Sequence, residues 1–223
     1  MNGFSGRYRS AQTRARVTCI LLGLVALITL IWVIQEGSGL RIVDDARNKI
    51  LYPYEANNYA RSTAFVVYLY LGAVSVTAIA FLAWLSRSVE NVPALGGGKP
   101  LVTPRWSIGW WFVPVANLLK PYQIVRDLHD RMGLGESSGG GWIIVSWWVL
   151  FVVGNALSLV AAAWAEPKNL DALSALYSIR GTAAGLAFLG TVAAITVVLR
   201  IQWRAEQRAD ALGPVKPGTV VPA

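Results

Sequence analysis

The stretch VTCILLGLVALITLIWVI, residues 17–34, is an 18-residue run with no Asp, Glu, Lys, Arg or His. A helix needs about 20 mainly apolar residues to cross the hydrocarbon core of a bilayer. The run follows Arg7, Arg9, Arg14 and Arg16, so it has the outline of a secretory signal. The apolar core of a signal peptide is about 7–15 residues long, and the length here argues for an uncleaved first transmembrane helix. Three further runs, residues 63–85, 142–164 and 181–199, also lack charge and histidine. Hydrocarbon offers no partner to backbone N–H and C=O groups, so each run must be helical. The expected fold is an all-α, polytopic membrane helical bundle with four spans.

Composition supports that reading. Hydrophobic residues make up 55% of the 223-residue chain and charged residues 14%, against about 25% charged in a typical soluble domain. The formal net charge of +8 argues for membrane insertion rather than nucleic-acid binding, because basic residues beside apolar spans set orientation. The single cysteine, Cys19, allows neither an intrachain disulfide nor a cysteine cluster for zinc.

A fifth apolar stretch, residues 106–119, is broken by Pro114 and followed by Lys120 and Pro121. At 14 residues it suits a re-entrant or interfacial segment better than a span. Charge counting separates four spans from five. With four spans and both termini cytoplasmic, 14 of the 20 Lys and Arg residues lie inside and six outside. With five spans that bias disappears, so the positive-inside rule favours four. Trp32 and Trp164 then fall near outer ends, and Trp84, Trp142 and Trp203 near inner ends, as interfacial belts. The chain divides into a basic N-terminus (1–16), a membrane domain (17–205) and a tail (206–223). The tail's last residues, 212–223, carry three prolines and read as disordered. Residues 35–62 read as a large outer loop and 86–105 as an inner one. Gly96-Gly97-Gly98 and the ESSGGG run at 136–141 read as flexible linkers.

Residues 106–132, WSIGWWFVPVANLLKPYQIVRDLHDRM, carry the densest signal. Pro121, Tyr122, Ile124, Val125, Leu128 and Met132 share one helical face. Lys120, Gln123, Arg126, Asp127, Asp130 and Arg131 share the other, the pattern of an amphipathic helix. The polar face mixes both signs of charge, which fits contact with protein at least as well as contact with anionic lipid. Pro114, Asn117 and Pro121 share a side, so a broken helix lining a polar path is one reading. A bent hairpin that turns the chain back is the simpler one.

The motif Trp106, Gly109, Trp110, Phe112, Val113, Pro114, Ala116, Asn117, Pro121, Tyr122, Gln123 and Asp127 resembles the signature of a bacterial membrane family, frequent in actinobacteria and known only as a domain of unknown function. The resemblance covers most of residues 60–205. It implies a multi-pass fold in the bacterial inner membrane and the motif as the place to look, but no activity. Lys120 stands where many members carry an aromatic or aliphatic residue.

Catalytic chemistry is sparse. The one histidine, His129, lies beside Asp127 and Asp130, where a surface or interface role is the ordinary expectation. No motif for a metal, a phosphate loop or a nucleophilic serine occurs, so no cofactor is expected. Gly181 and Gly185 form a G-x-x-x-G pair, and Gly154 and Ser158 a small-x-x-x-small pair; such pairs let helix backbones approach closely. On that basis Gly185→Leu should disturb packing. The leading expectation is a non-enzymatic accessory, scaffold or regulatory membrane protein. Its partners would be the bilayer and either other proteins or copies of itself, with no nucleic acid. One alternative is a small-solute channel or transporter using Pro114, Asn117 and Gln123. A second is an enzyme acting on lipid headgroups through Asp127, His129 and Asp130.

Overall fold

A computed structural model describes residues 8–50, 52–133 and 139–213. It is all-helical among those residues, in the order α1 (Gln12–Arg47), α2 (Pro53–Ala94), α3 (Pro104–Gly109), a 3-10 turn (Ala116–Leu118), α4 (Lys120–Met132), α5 (Trp142–Ala163) and α6 (Leu170–Leu212). Four helices, α1, α2, α5 and α6, are long and apolar enough to cross a membrane, and they cover the expected spans, α5 stopping one residue short at Ala163. The chain is an all-α membrane protein.

Two of the expected loops are largely helix. Residues 35–47 continue α1, and α2 already starts at Pro53, so the connection shrinks to residues 48–52. Proline suits that start, because the first helical position needs no N–H. The end of α1 is a left-handed turn at Lys49 (φ 60°). There Lys49 N–H donates to Ala46 O and Ile50 N–H to Asp45 O, the paired reverse bonds of a Schellman ending. On the other side α2 runs on to Ala94. It closes the same way, with Gly96 N–H donating to Pro93 O and Gly97 N–H to Val92 O. Gly96 and Gly98 have φ near +70°. A Cβ on Gly97 would lie 2.8 Å from Val92 Cγ1 and 3.0 Å from Val92 O. The triple glycine is therefore a fitted helix end and not a flexible linker. Of the 136–141 run only Gly139–Gly141 is described, and it forms a turn; Glu136–Ser138 and the tail beyond residue 213 lie outside the described residues.

Within the chain two compact units form. Unit 1 draws on Met1–Val17, Ala80–Ile144 and Val197–Ala223, unit 2 on Thr18–Ile79 and Val145–Thr196. Unit 1 buries Trp84, Val92, Leu95, Ile124, Leu128 and Ile201 almost completely. Trp84 is enclosed by protein, with its indole N–H directed at Gln202 Oε1 at 3.4 Å.

In unit 2, α5 and α6 approach closely at two glycines. A Cβ on Gly154 would touch Leu186 Cβ at 3.4 Å, and one on Gly190 would touch Leu150 Cβ at the same distance. Gly181 has Glu36 Cβ as its neighbour, and nothing lies within 4 Å of a Cβ built on Gly185. Among the described residues Gly181 and Gly185 thus share no helix partner within the chain, and a side chain at Gly185 meets open space there. Ser158 turns its hydroxyl inward along its own helix, to Gly154 O at 2.9 Å.

Candidate functional site

The motif segment belongs to unit 1. Thr103 caps α3, its hydroxyl accepting from Trp106 N–H, with Pro104 in the first turn, as helix starts prefer. Trp106 and Trp110 lie one turn apart with ring centroids 5.1 Å apart. A Cβ on Gly109 would lie 3.2 Å from the Trp106 ring, so glycine leaves room for that indole. Lys120 Nζ sits 5.7 Å from the centre of the Trp110 ring, within range of a cation–π contact.

After α3 the chain makes a tight reversal. Val115 has φ 64° and ψ −48°, and Ala116 N–H donates to Pro114 O at 2.7 Å. That is a γ-turn of the strained kind, at a β-branched residue for which positive φ is a true outlier. Around it Phe112, Val115, Leu118 and Leu119 are exposed, Val115 at 79%. Pro114 and Asn117 are exposed too.

Helix α4 then buries Pro121, Ile124, Val125, Leu128, His129 and Met132. Gln123, Arg126 and Asp130 face outward, with Tyr122 half-buried; the Tyr122 hydroxyl accepts from Arg126 Nη1 at 2.8 Å. This is the expected amphipathic division, with one change: His129 joins the buried face.

The polar residues on this side hold the segment together. Asp127 accepts from Leu101 N–H at 2.9 Å and from Arg131 Nε at 2.7 Å, and Arg131 Nη1 donates to Gly97 O at 3.1 Å. Arg208 joins two helix ends. Its Nε donates to Leu95 O and its Nη2 to Gly96 O at the end of α2; its Nη1 donates to Arg131 O and Gly133 O at the end of α4. Unpaired carbonyls at a helix C-terminus carry partial negative charge and favour a cation. Arg204, 7% exposed, donates to His129 O at 3.0 Å and to Gly139 O at 2.9 Å, and Arg200 also donates to Gly139 O. Arg200, Arg204 and Arg208 recur every four residues, so they lie along one face of α6. That spacing was visible in the sequence as a signal for a shared structural task.

His129 is 1% exposed. The expected surface or interface histidine is instead part of the packing of unit 1. Its Nδ1 lies 3.0 Å from Asp130 Oδ1 and 3.3 Å from Arg204 Nη1, and its Nε2 is buried with no hydrogen-bond partner among the described residues. Burial pushes its pKa below the usual histidine value, the Asp130 hydrogen bond opposes that, and the Arg204 charge adds to it. An enclosed ring of this kind cannot reach a lipid headgroup, and Asp127 is committed to Leu101 and Arg131. No cluster of metal-ligating residues occurs among the described residues.

Unit 2 contains a second polar cluster that sequence reasoning did not find. Glu36, 1% exposed, accepts from Trp32 Nε1 at 2.7 Å and from the Tyr59 hydroxyl at 3.0 Å. Arg180 Nε lies 3.9 Å from it, and the Tyr177 ring lies 5.1 Å from that of Tyr59. Gly39 leaves the space that Tyr59 fills, since a Cβ there would lie 2.6 Å from the phenol oxygen. Beside the cluster is a cavity of about 550 Å³. A smaller one of about 190 Å³ shares Val67 and Arg180 with it. Neither cavity is lined by Pro114, Asn117 or Gln123.

No curated protein and no solved structure matches the chain. The family model described as Domain of unknown function (DUF4328) matches residues 47–216, which include the whole motif segment and most of both units, and the chain belongs to that family.

Proposed function

We propose that this is a non-enzymatic accessory or scaffold protein of the bacterial plasma membrane, with both termini cytoplasmic, whose working surface is segment 106–132. The apolar tip anchors the segment at the membrane boundary. The outward face of α4, with Gln123, Arg126 and Asp130, meets a protein partner. The observation that carries this reading is the γ-turn at Val115. A strained backbone persists only where the surroundings over-determine it, and such strain gathers at functional sites. Here it holds an apolar side chain outward, beside three other exposed apolar residues. Asp127, Arg131 and Arg204 are committed to hydrogen bonds within unit 1, which favours display over chemistry for the segment. The orientation rests on the distribution of Lys and Arg.

Site-specific photocrosslinking in cells at native expression tests this. A photoreactive residue at Gln123 is expected to give one discrete protein adduct, and the same residue at Phe112 to give lipid adducts. The Gln123 adduct should be lost in a Val115→Asp variant of equal abundance. No protein adduct at Gln123, or an adduct that persists in Val115→Asp, would refute the reading.

A further inference from the structure

The larger cavity of unit 2 is walled mainly by small and apolar side chains of α1, α2 and α6, among them Val43, Ala46, Ala60, Ala64 and Leu173. Its polar end is formed by Tyr59, Tyr177 and Arg180. These polar groups are not equally available. Both Glu36 oxygens already accept a hydrogen bond, from Trp32 and from Tyr59, so the carboxyl group has little left to offer a cation. Arg180 is different. Among the described residues its ion-pair partner is Glu36, through Nε at 3.9 Å, and its two Nη nitrogens make no hydrogen bond. A guanidinium is a planar fork of five donors suited to carboxylate or phosphate. This one is only 32% exposed, and it lines both cavities. Unused donors on a half-buried cation, at the polar end of an apolar cavity, call for an anion attached to something apolar.

We infer that unit 2 binds one amphiphile with an anionic head, carboxylate or phosphate, held by the Nη groups of Arg180, with its chain along the apolar wall. The volume of about 550 Å³ is within the range of small-molecule sites, roughly 300–1,000 Å³. The helices that build it are apolar enough to cross a membrane, which places such amphiphiles at hand. Glu36 has a positioning role: its contact with Nε leaves the other end of the guanidinium free. The smaller cavity, which Arg180 also lines together with Ala161, Ala183 and Ala187, offers room for further chain.

The test is titration calorimetry on the full chain in mild detergent, with oleate, dioleoyl phosphatidylglycerol, oleyl alcohol and inorganic phosphate as separate probes. At least one of the two anionic amphiphiles should bind saturably at one per chain. Binding by oleate alone assigns a carboxylate head, and binding by phosphatidylglycerol assigns a phosphodiester. Oleyl alcohol and inorganic phosphate, each lacking one half of the ligand, should bind about tenfold more weakly or not at all. Arg180→Gln should weaken the bound amphiphile about tenfold or more. Because that variant also disturbs the Glu36 contact, Ala60→Trp serves as a second one. It fills the cavity, leaves the Glu36–Arg180 contact in place, and should give a similar loss. The inference is overturned if neither anionic amphiphile binds. It is also overturned if oleyl alcohol binds as tightly as oleate when oleate is the bound probe, or if a folded Ala60→Trp variant binds like the wild type.

Discussion

Arg208→Ala is expected to cost unit 1 about 3 kcal/mol of stability. The side chain donates four hydrogen bonds to carbonyls at the ends of α2 and α4. Hydrogen bonds to charged groups contribute roughly 1.5–3 kcal/mol each, but the site is only partly buried, so solvent recovers much of the total. Removing one of the cations at these two helix ends takes away part of the dipole contribution as well. Limited proteolysis should show new cleavage between Leu95 and Leu101, and the thermal midpoint in detergent should fall. Arg208→Lys should restore less than half of the loss, since an ammonium cannot reach both pairs of carbonyls at once. A variant with an unchanged midpoint and no new cleavage would show that the two helix ends are held by other means.

Gly190→Leu is expected to destabilise unit 2 by about 3 kcal/mol, the upper part of the range for overpacking. The Cβ alone would already touch Leu150 Cβ at 3.4 Å and Phe151 N at 3.6 Å, and the rest of a leucine would have to enter the backbone of α5. Gly185→Leu is the control: with no atom within 4 Å of its Cβ, it should shift stability by less than about 0.5 kcal/mol. Thermal unfolding of both variants in one detergent makes the comparison. Equal losses would mean that Gly185 contacts something besides the rest of this chain.

The four helices long and apolar enough to cross a membrane were legible because a bilayer imposes a length and a polarity that composition alone can meet. The buried face of α4 was legible from the 3.6-residue period of Ile124, Val125, Leu128 and Met132. What escaped depends on partners distant in sequence or on unusual choices of residue. The end of α1 uses Lys49 in the left-handed conformation where glycine is usual, so nothing in residues 35–62 announced 13 more residues of helix ending at Arg47. The triple glycine has the composition of a linker, and only the proximity of Val92 and Arg131 shows it to be a fitted turn. His129 reads as a surface or interface residue by its charged neighbours, yet α4 buries it beside Arg204. In the candidate sites, the sequence pointed to segment 106–132. It gave no sign of the Glu36, Tyr59, Tyr177 and Arg180 cluster, because those residues flank the spans and each looks like an ordinary loop residue. The i, i+4 series Arg200, Arg204 and Arg208 was read only as orienting charge, although its spacing also fits a row of carbonyl ligands.

The placement of the motif tip is open to a direct measurement. In a Cys19→Ser background, a single nitroxide is attached at Val115 or at Gln123 in the protein reconstituted in lipid nanodiscs. Collision rates with oxygen and with a water-soluble nickel complex are then compared. Oxygen-dominated relaxation is predicted at Val115, where the proposed anchoring puts the side chain in the apolar phase, and nickel-dominated relaxation at Gln123 on the outward face of α4. Nickel-dominated relaxation at both positions would contradict the account, because the tip would then lie in water and could not anchor the segment at the membrane boundary.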